Sequence, residues 1–79
     1  METLEIETLI IKHRNQFAER WLNYDQVEIL YVLYSEDHYS ISYIPSRQTQ
    51  PHVFHITRNE MVRWCDSLKL LEFVVNDVH

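Results

Sequence analysis

Five histidines and one cysteine are the side chains of this chain best suited to hold a metal ion or act as nucleophile. His52 and His55 form a His-x-x-His pair, a spacing that puts both rings on one face of a helix. On a strand, positions three apart point to opposite faces, and His52-Val53-Phe54-His55-Ile56 reads as a short strand. The pair then cannot share an ion. His13, His38, Cys65 and His79 are scattered, with no Cys-x-x-Cys or His-Glu-x-x-His spacing. No metal and no other cofactor is expected, and the histidines read as polar surface residues.

Cys65 could act as a nucleophile with a histidine as its base. It falls, however, in the stripe Met61-Trp64-Cys65-Leu68, where a thiol behaves as a small hydrophobe. The adjacent carboxylates Glu36 and Asp37 sit at a turn tip, where acids are ordinarily solvated. The chain contains no glycine, which excludes a Gly-rich phosphate loop, a dinucleotide fingerprint and a Gly-x-Ser-x-Gly elbow. Turns with positive φ should accordingly use Asn or Asp. No catalytic residue is assigned, and the expectation is that the protein is not an enzyme. A small metal- or thiol-dependent enzyme built on Cys65 or on His52 and His55 is the remotest alternative.

The aromatic residues carry the stronger signal. Tyr39 and Tyr43 lie two strand pairs apart on one face, Arg47 follows just beyond, and Tyr34 stands on the preceding strand. Tyr and Arg are enriched where interfaces concentrate their binding energy, so Tyr34, Tyr39, Tyr43 and Arg47 are the candidate partner-binding residues. The same rings could stack single-stranded nucleic acid, with Tyr31 or Tyr34 of the paired strand widening the platform according to register. Against that stands a formal charge of −5 and the lack of a basic-aromatic motif. The acids are scattered along the chain as on a solvated surface, which also argues against a nucleic-acid mimic. A third possibility is that the tyrosines pack beneath helices as core.

The elements that must position these residues are organised around Gln26–Tyr34, the most strand-prone run in the chain. Read with strict alternation, Val27, Ile29, Tyr31 and Leu33 form one face, and Glu28, Leu30, Val32 and Tyr34 the other. After a turn at Ser35–His38, Tyr39, Ile41 and Tyr43 alternate with Ser40 and Ser42 in a returning strand that Pro45 ends. Before this hairpin, Ile6, Ile10, Phe17 and Trp21 recur at helical spacing and predict a helix over residues 3–22. After it come a polar loop, the short strand 52–56 and a second helix. Thr57 and Glu60 give that helix a capping box, with Ile56 and Met61 as hydrophobic staple. Leu71, Phe73 and Val75 alternate with Glu72 and Val74 and predict a fourth strand, leaving residues 76–79 as a tail.

The predicted class is α+β in the order α-β-β-β-α-β: a small antiparallel meander packed against two helices on one face, a single domain over residues 1–79. A domain of this size buries only about 60% of the surface its unfolded chain exposes. With 46% hydrophobic residues, some apolar surface is left over, and self-association is the cheapest way to cover it. The lone cysteine, the acidic start Met1-Glu2-Thr3-Leu4-Glu5 and the short apolar runs predict a cytoplasmic protein without a leader or membrane span. The expected function is a small acidic protein-interaction module, a homodimer that acts as regulator, adaptor or inhibitor of a protein partner by occupying a surface.

Overall fold

Two antiparallel hairpins that share a strand build the sheet. The computed structural model describes the backbone of residues 2–77 and the side chains of residues 2–70. Strands β1 (Val27–Ser35), β2 (His38–Pro45) and β3 (His52–Thr57) run in the spatial order β1-β2-β3, which makes β2 central and leaves β1 and β3 at the edges. Glu36 and Asp37 alone connect β1 to β2, with φ of 49° and 65°. Positive φ at both loop residues is the type I′ geometry whose twist matches that of the flanking strands. Asp37 and Asn23 meet the expectation for a chain without glycine, but Glu36 and Arg47 also take positive φ. Arg47 is the third residue of a turn closed by the Gln48 N–H donating to the Pro45 carbonyl at 3.1 Å, where a type II turn requires positive φ.

The two-residue loop sets Tyr34 opposite Tyr39, Leu33 opposite Ser40, Val32 opposite Ile41 and Tyr31 opposite Ser42. The register then shifts between Ile29 and Tyr31, because Leu30 is an extra residue on β1. A bulge of this kind reverses the alternation. Val27 and Ile29 face the core before it, and Val32 and Tyr34 do so after it. Strict alternation through 27–34 is therefore corrected: Tyr31 and Leu33 lie on the face opposite Val27 and Ile29. The bulge is also why both apparent faces of this run look apolar in sequence.

Among the described residues, helices cover one face of the sheet only. The first predicted helix occupies its expected residues but is not uniform. It comprises α1 (Thr3–Lys12), a break at His13, α2 (Arg14–Phe17) and a π-helical turn over Ala18–Leu22. The wide turn moves the buried position one residue along: Leu22 is buried five residues after Phe17, while Trp21 is only half-buried. Asn23 ends the segment at φ 64°, the left-handed conformation Asn tolerates after a helix.

Helix α3 (Arg58–Asp77) starts as predicted, with the Glu60 N–H donating to Thr57 Oγ1 at 3.3 Å. It does not stop where the sequence pattern suggested. The fourth strand predicted for 70–75 is helix, and so are the first two residues of the predicted tail; residues 78 and 79 lie outside the described residues. No Gly or Pro interrupts Arg58–Asp77, and extending a formed helix gains one hydrogen bond per residue fixed. The Arg58 N–H also donates to the Asp37 carbonyl at 2.8 Å, tying the start of α3 to the β1–β2 turn.

The core lies between these layers. Ile6, Ile10, Phe17 and Ala18 meet Met61 and Cys65 from α3, and all pack on Tyr39, Ile41, Tyr43 and Ile56 of the sheet. Glu5 on α1 and Lys69 on α3 form an ion pair at the rim. The architecture is the predicted small α+β fold, a three-stranded meander under helices on one face. Among the described residues no helix is long and apolar enough to cross a membrane.

Candidate functional site

The four residues selected from sequence do not form one surface. Tyr39 is fully buried and Tyr43 nearly so, both rings pointing into the helical layer. Their selection as accessible partner-binding residues is corrected by this burial, and so is any stacking platform built on them. Tyr39 accepts a hydrogen bond at its hydroxyl from Arg58 Nη1 at 2.9 Å, and its ring centroid lies 4.8 Å from that of Tyr34. Burial pushes the Tyr43 hydroxyl above its ordinary pKa. Tyr43 stacks on His52 at 5.5 Å and meets Tyr24 at 6.2 Å.

Tyr34 stays partly exposed at the loop end of the hairpin. Its hydroxyl donates to Asp37 Oδ1 at 3.0 Å, and its pKa is raised, first by desolvation and then by that carboxylate. Arg47 is exposed at the opposite end of the sheet, where it lines a depression of about 420 Å³ with Tyr24, Asp25, Gln26 and Ser46.

What lies open is the other face of the sheet. Tyr31 (50% exposed) and Leu33 (58%) on β1 flank Ser42 and Ser40 of β2, and Val53 (54%) stands on the far side on β3. Small side chains in the centre and large ones along both edges make a shallow apolar trough. Ser42 is itself only 2% exposed, because Tyr31 and Val53 close over it from both neighbouring strands. His55 sits beside Ser40, its Nδ1 2.9 Å from the serine Oγ, and His38 is 6.0 Å from it between ring centroids.

Sequence reasoning missed this face because Tyr31 and Leu33 were assigned to the side of Val27 and Ile29. A signal was present. A two-residue loop at 36–37 by itself places residues 33 and 31 opposite the two serines.

His52 and His55 do point to opposite faces. His52 packs with Tyr43 and bonds Gln48, while His55 lies on the open face. Among the described residues no group of three or more His, Cys, Asp or Glu side chains converges as metal ligands do. Cys65 is fully buried, and desolvation, with a smaller contribution from Asp66, pushes its thiol up to about 11. Its surroundings suit packing and disfavour the thiolate.

A second concave feature lies where the π-helical turn meets α3. Arg20 and Trp21 face Glu60, Arg63, Trp64 and Ser67 across a groove of about 460 Å³. Positions 60, 63, 64 and 67 share one face of α3 by helical spacing. The Arg20 guanidinium lies 4.1 Å above the Trp21 ring, and Trp64 is held edge-to-face by Phe17 at 5.4 Å. Trp21 Nε1 is buried with no acceptor among the described residues, an arrangement that costs about 1–3 kcal/mol.

These features define a small α+β protein with one helix-covered sheet face and one bare one. Compared with protein-family models, with characterised proteins and with solved structures, the chain matches none.

Proposed function

We propose that the protein is a small interaction module that works by surface binding without chemistry of its own, and that it forms a homodimer through the bare face of its sheet. The observation that carries this reading is the trough of Tyr31, Leu33 and Val53 around Ser40 and Ser42, apolar side chains that stand half or more exposed on a regular sheet. Most monomeric proteins of this size cover or polarise such a face. β1 is moreover an edge strand with Leu30 and Tyr34 also partly exposed, the kind of edge that recruits a partner.

The strength expected is modest. Burying the exposed half of three large apolar side chains on each of two copies gives roughly 1 kcal/mol apiece, about 6 kcal/mol in all. Association itself costs about 4–15 kcal/mol. The dimer should therefore be weak and dependent on concentration. A protein partner carrying its own apolar strip would compete for the same trough.

Light scattering across a concentration series tests this directly. Native protein should shift from monomer towards dimer as concentration rises, and Leu33→Ser with Val53→Ser should hold it monomeric and folded. Native protein that remains monomeric throughout removes the homodimer. A double variant that dimerises like the native protein removes the trough as its interface.

A further inference from the structure

We propose that the groove between the π-helical turn and α3 is a binding site for a small planar ring bearing an oxyanion, the chemistry shared by aromatic carboxylates and nucleoside monophosphates. The groove is separate from the sheet face described above, and the proposal does not depend on it. Its volume, about 460 Å³, falls within the range of small-molecule pockets. Its walls are the two tryptophans of the chain, both seated against Phe17 or Phe54 and so fixed in position before any ligand arrives. The Trp21 face is taken by Arg20, which leaves the Trp64 indole as the flat, immobile wall that favours a flat ligand.

Charge selects the rest of the ligand. The chain carries a net charge of −5, yet this groove brings together two of its seven Lys and Arg residues, Arg20 and Arg63. No ion pair engages either guanidinium among the described residues. Arg20 rests on the face of Trp21, and a guanidinium stacked on a ring keeps its in-plane N–H donors available to grip a carboxylate or phosphate. Glu60 is the single acid of the lining. It opposes an anion, so the oxyanion belongs at the arginines and the ring against Trp64.

Because both tryptophans line the groove, intrinsic tryptophan emission reports its occupancy without a label. The full chain is titrated to about 10 mM with benzoate, adenosine monophosphate, adenosine or inorganic phosphate, since weak binding of small ligands lies near 1 mM. The expected result is a saturable change with benzoate, the monophosphate or both, at least tenfold tighter than with adenosine or phosphate alone. Which of the two binds identifies the source of the ring.

Arg20→Ala with Arg63→Ala should weaken that binding roughly ten- to a hundredfold through the loss of charge-assisted hydrogen bonds. Both arginines are exposed, so the far-ultraviolet circular dichroism of the variant should be unchanged. Glu60→Gln should tighten binding. No saturable change with either planar anion overturns the proposal. So does adenosine or phosphate alone binding as tightly as the better planar anion, or an Arg20→Ala, Arg63→Ala variant that binds as well as the native chain.

Discussion

Replacing Tyr39 distinguishes a core tyrosine from a surface one more sharply than any other single change. Its side chain is fully buried, on the central strand, between the helical layer and the ring of Tyr34. Truncating a buried aromatic residue to alanine typically costs about 3–5 kcal/mol. At 0.05–0.15 kcal/mol per residue, a chain of 79 residues has roughly 4–12 kcal/mol in total. Tyr39→Ala should thus remove a quarter or more of the stability. Tyr39→Phe keeps the ring and deletes only the hydroxyl that accepts from Arg58, a charge-assisted bond worth about 1.5–3 kcal/mol at most. The assay is urea unfolding followed by circular dichroism. With an m value of ~1 kcal/mol/M, a loss of about 3 kcal/mol moves the midpoint by about 3 M. If Tyr39→Ala shifts the midpoint by less than the Phe variant, with m unchanged, the placement of Tyr39 in the core is refuted.

Three further outcomes are expected. The Glu5–Lys69 pair joins α1 to α3, and the hydrogen bond from Lys69 lowers the Glu5 pKa from 4.5 while the bond to Glu5 raises that of Lys69 from 10.5. A depressed acid stabilises above its unfolded pKa and loses that effect as pH falls through its folded value; a raised base does so below its unfolded pKa and loses it as pH rises. Melting curves of Glu5→Gln should therefore lie slightly below native between pH 4.5 and 10.5 and converge with it at lower pH, and a gap that widens with acid would contradict this. Cys65, with its thiol pushed up to about 11, should react with a thiol reagent at pH 8 only as fast as the protein unfolds, whereas labelling at the rate of a free thiol would place it outside the core. Glu36→Gly should stabilise the hairpin by about 1 kcal/mol, because a residue with a Cβ is strained at φ 49°; an unfolding midpoint that falls would show that the Glu36 side chain makes a compensating contact.

Local chemistry made much of the fold legible. The alternation of Tyr39, Ile41 and Tyr43 with Ser40 and Ser42 identified a strand with one apolar face, since side chains alternate along any strand. The Thr57–Glu60 pattern located the start of α3 to the residue, because an N-cap satisfies donors within one turn. Ile6 and Ile10 marked the buried stripe of α1 for the same local reason.

Where a local pattern fits two structures, sequence could not choose. Leu71, Phe73 and Val75 alternate as in a strand, yet their segment continues a helix already capped and propagating through twenty residues. The candidate site suffered most. A tyrosine face on a hairpin is equally suited to a partner or to the protein's own helices, and nothing within the hairpin says which.

By itself, then, the sequence determined the meander, the capped helix and the exclusion of glycine-dependent chemistry. Docking of the helices decided which sheet face is hidden, placing Tyr39 and Tyr43 beneath them and leaving Tyr31, Leu33 and Val53 bare. The Leu30 bulge and the π-helical turn decided which neighbouring residues share a face, by adding one residue to a strand and widening one turn of a helix. Both are changes of phase. The first shows itself only when β1 is set against β2, as a residue with no partner opposite it, and the second in the wider backbone bonding of its own turn.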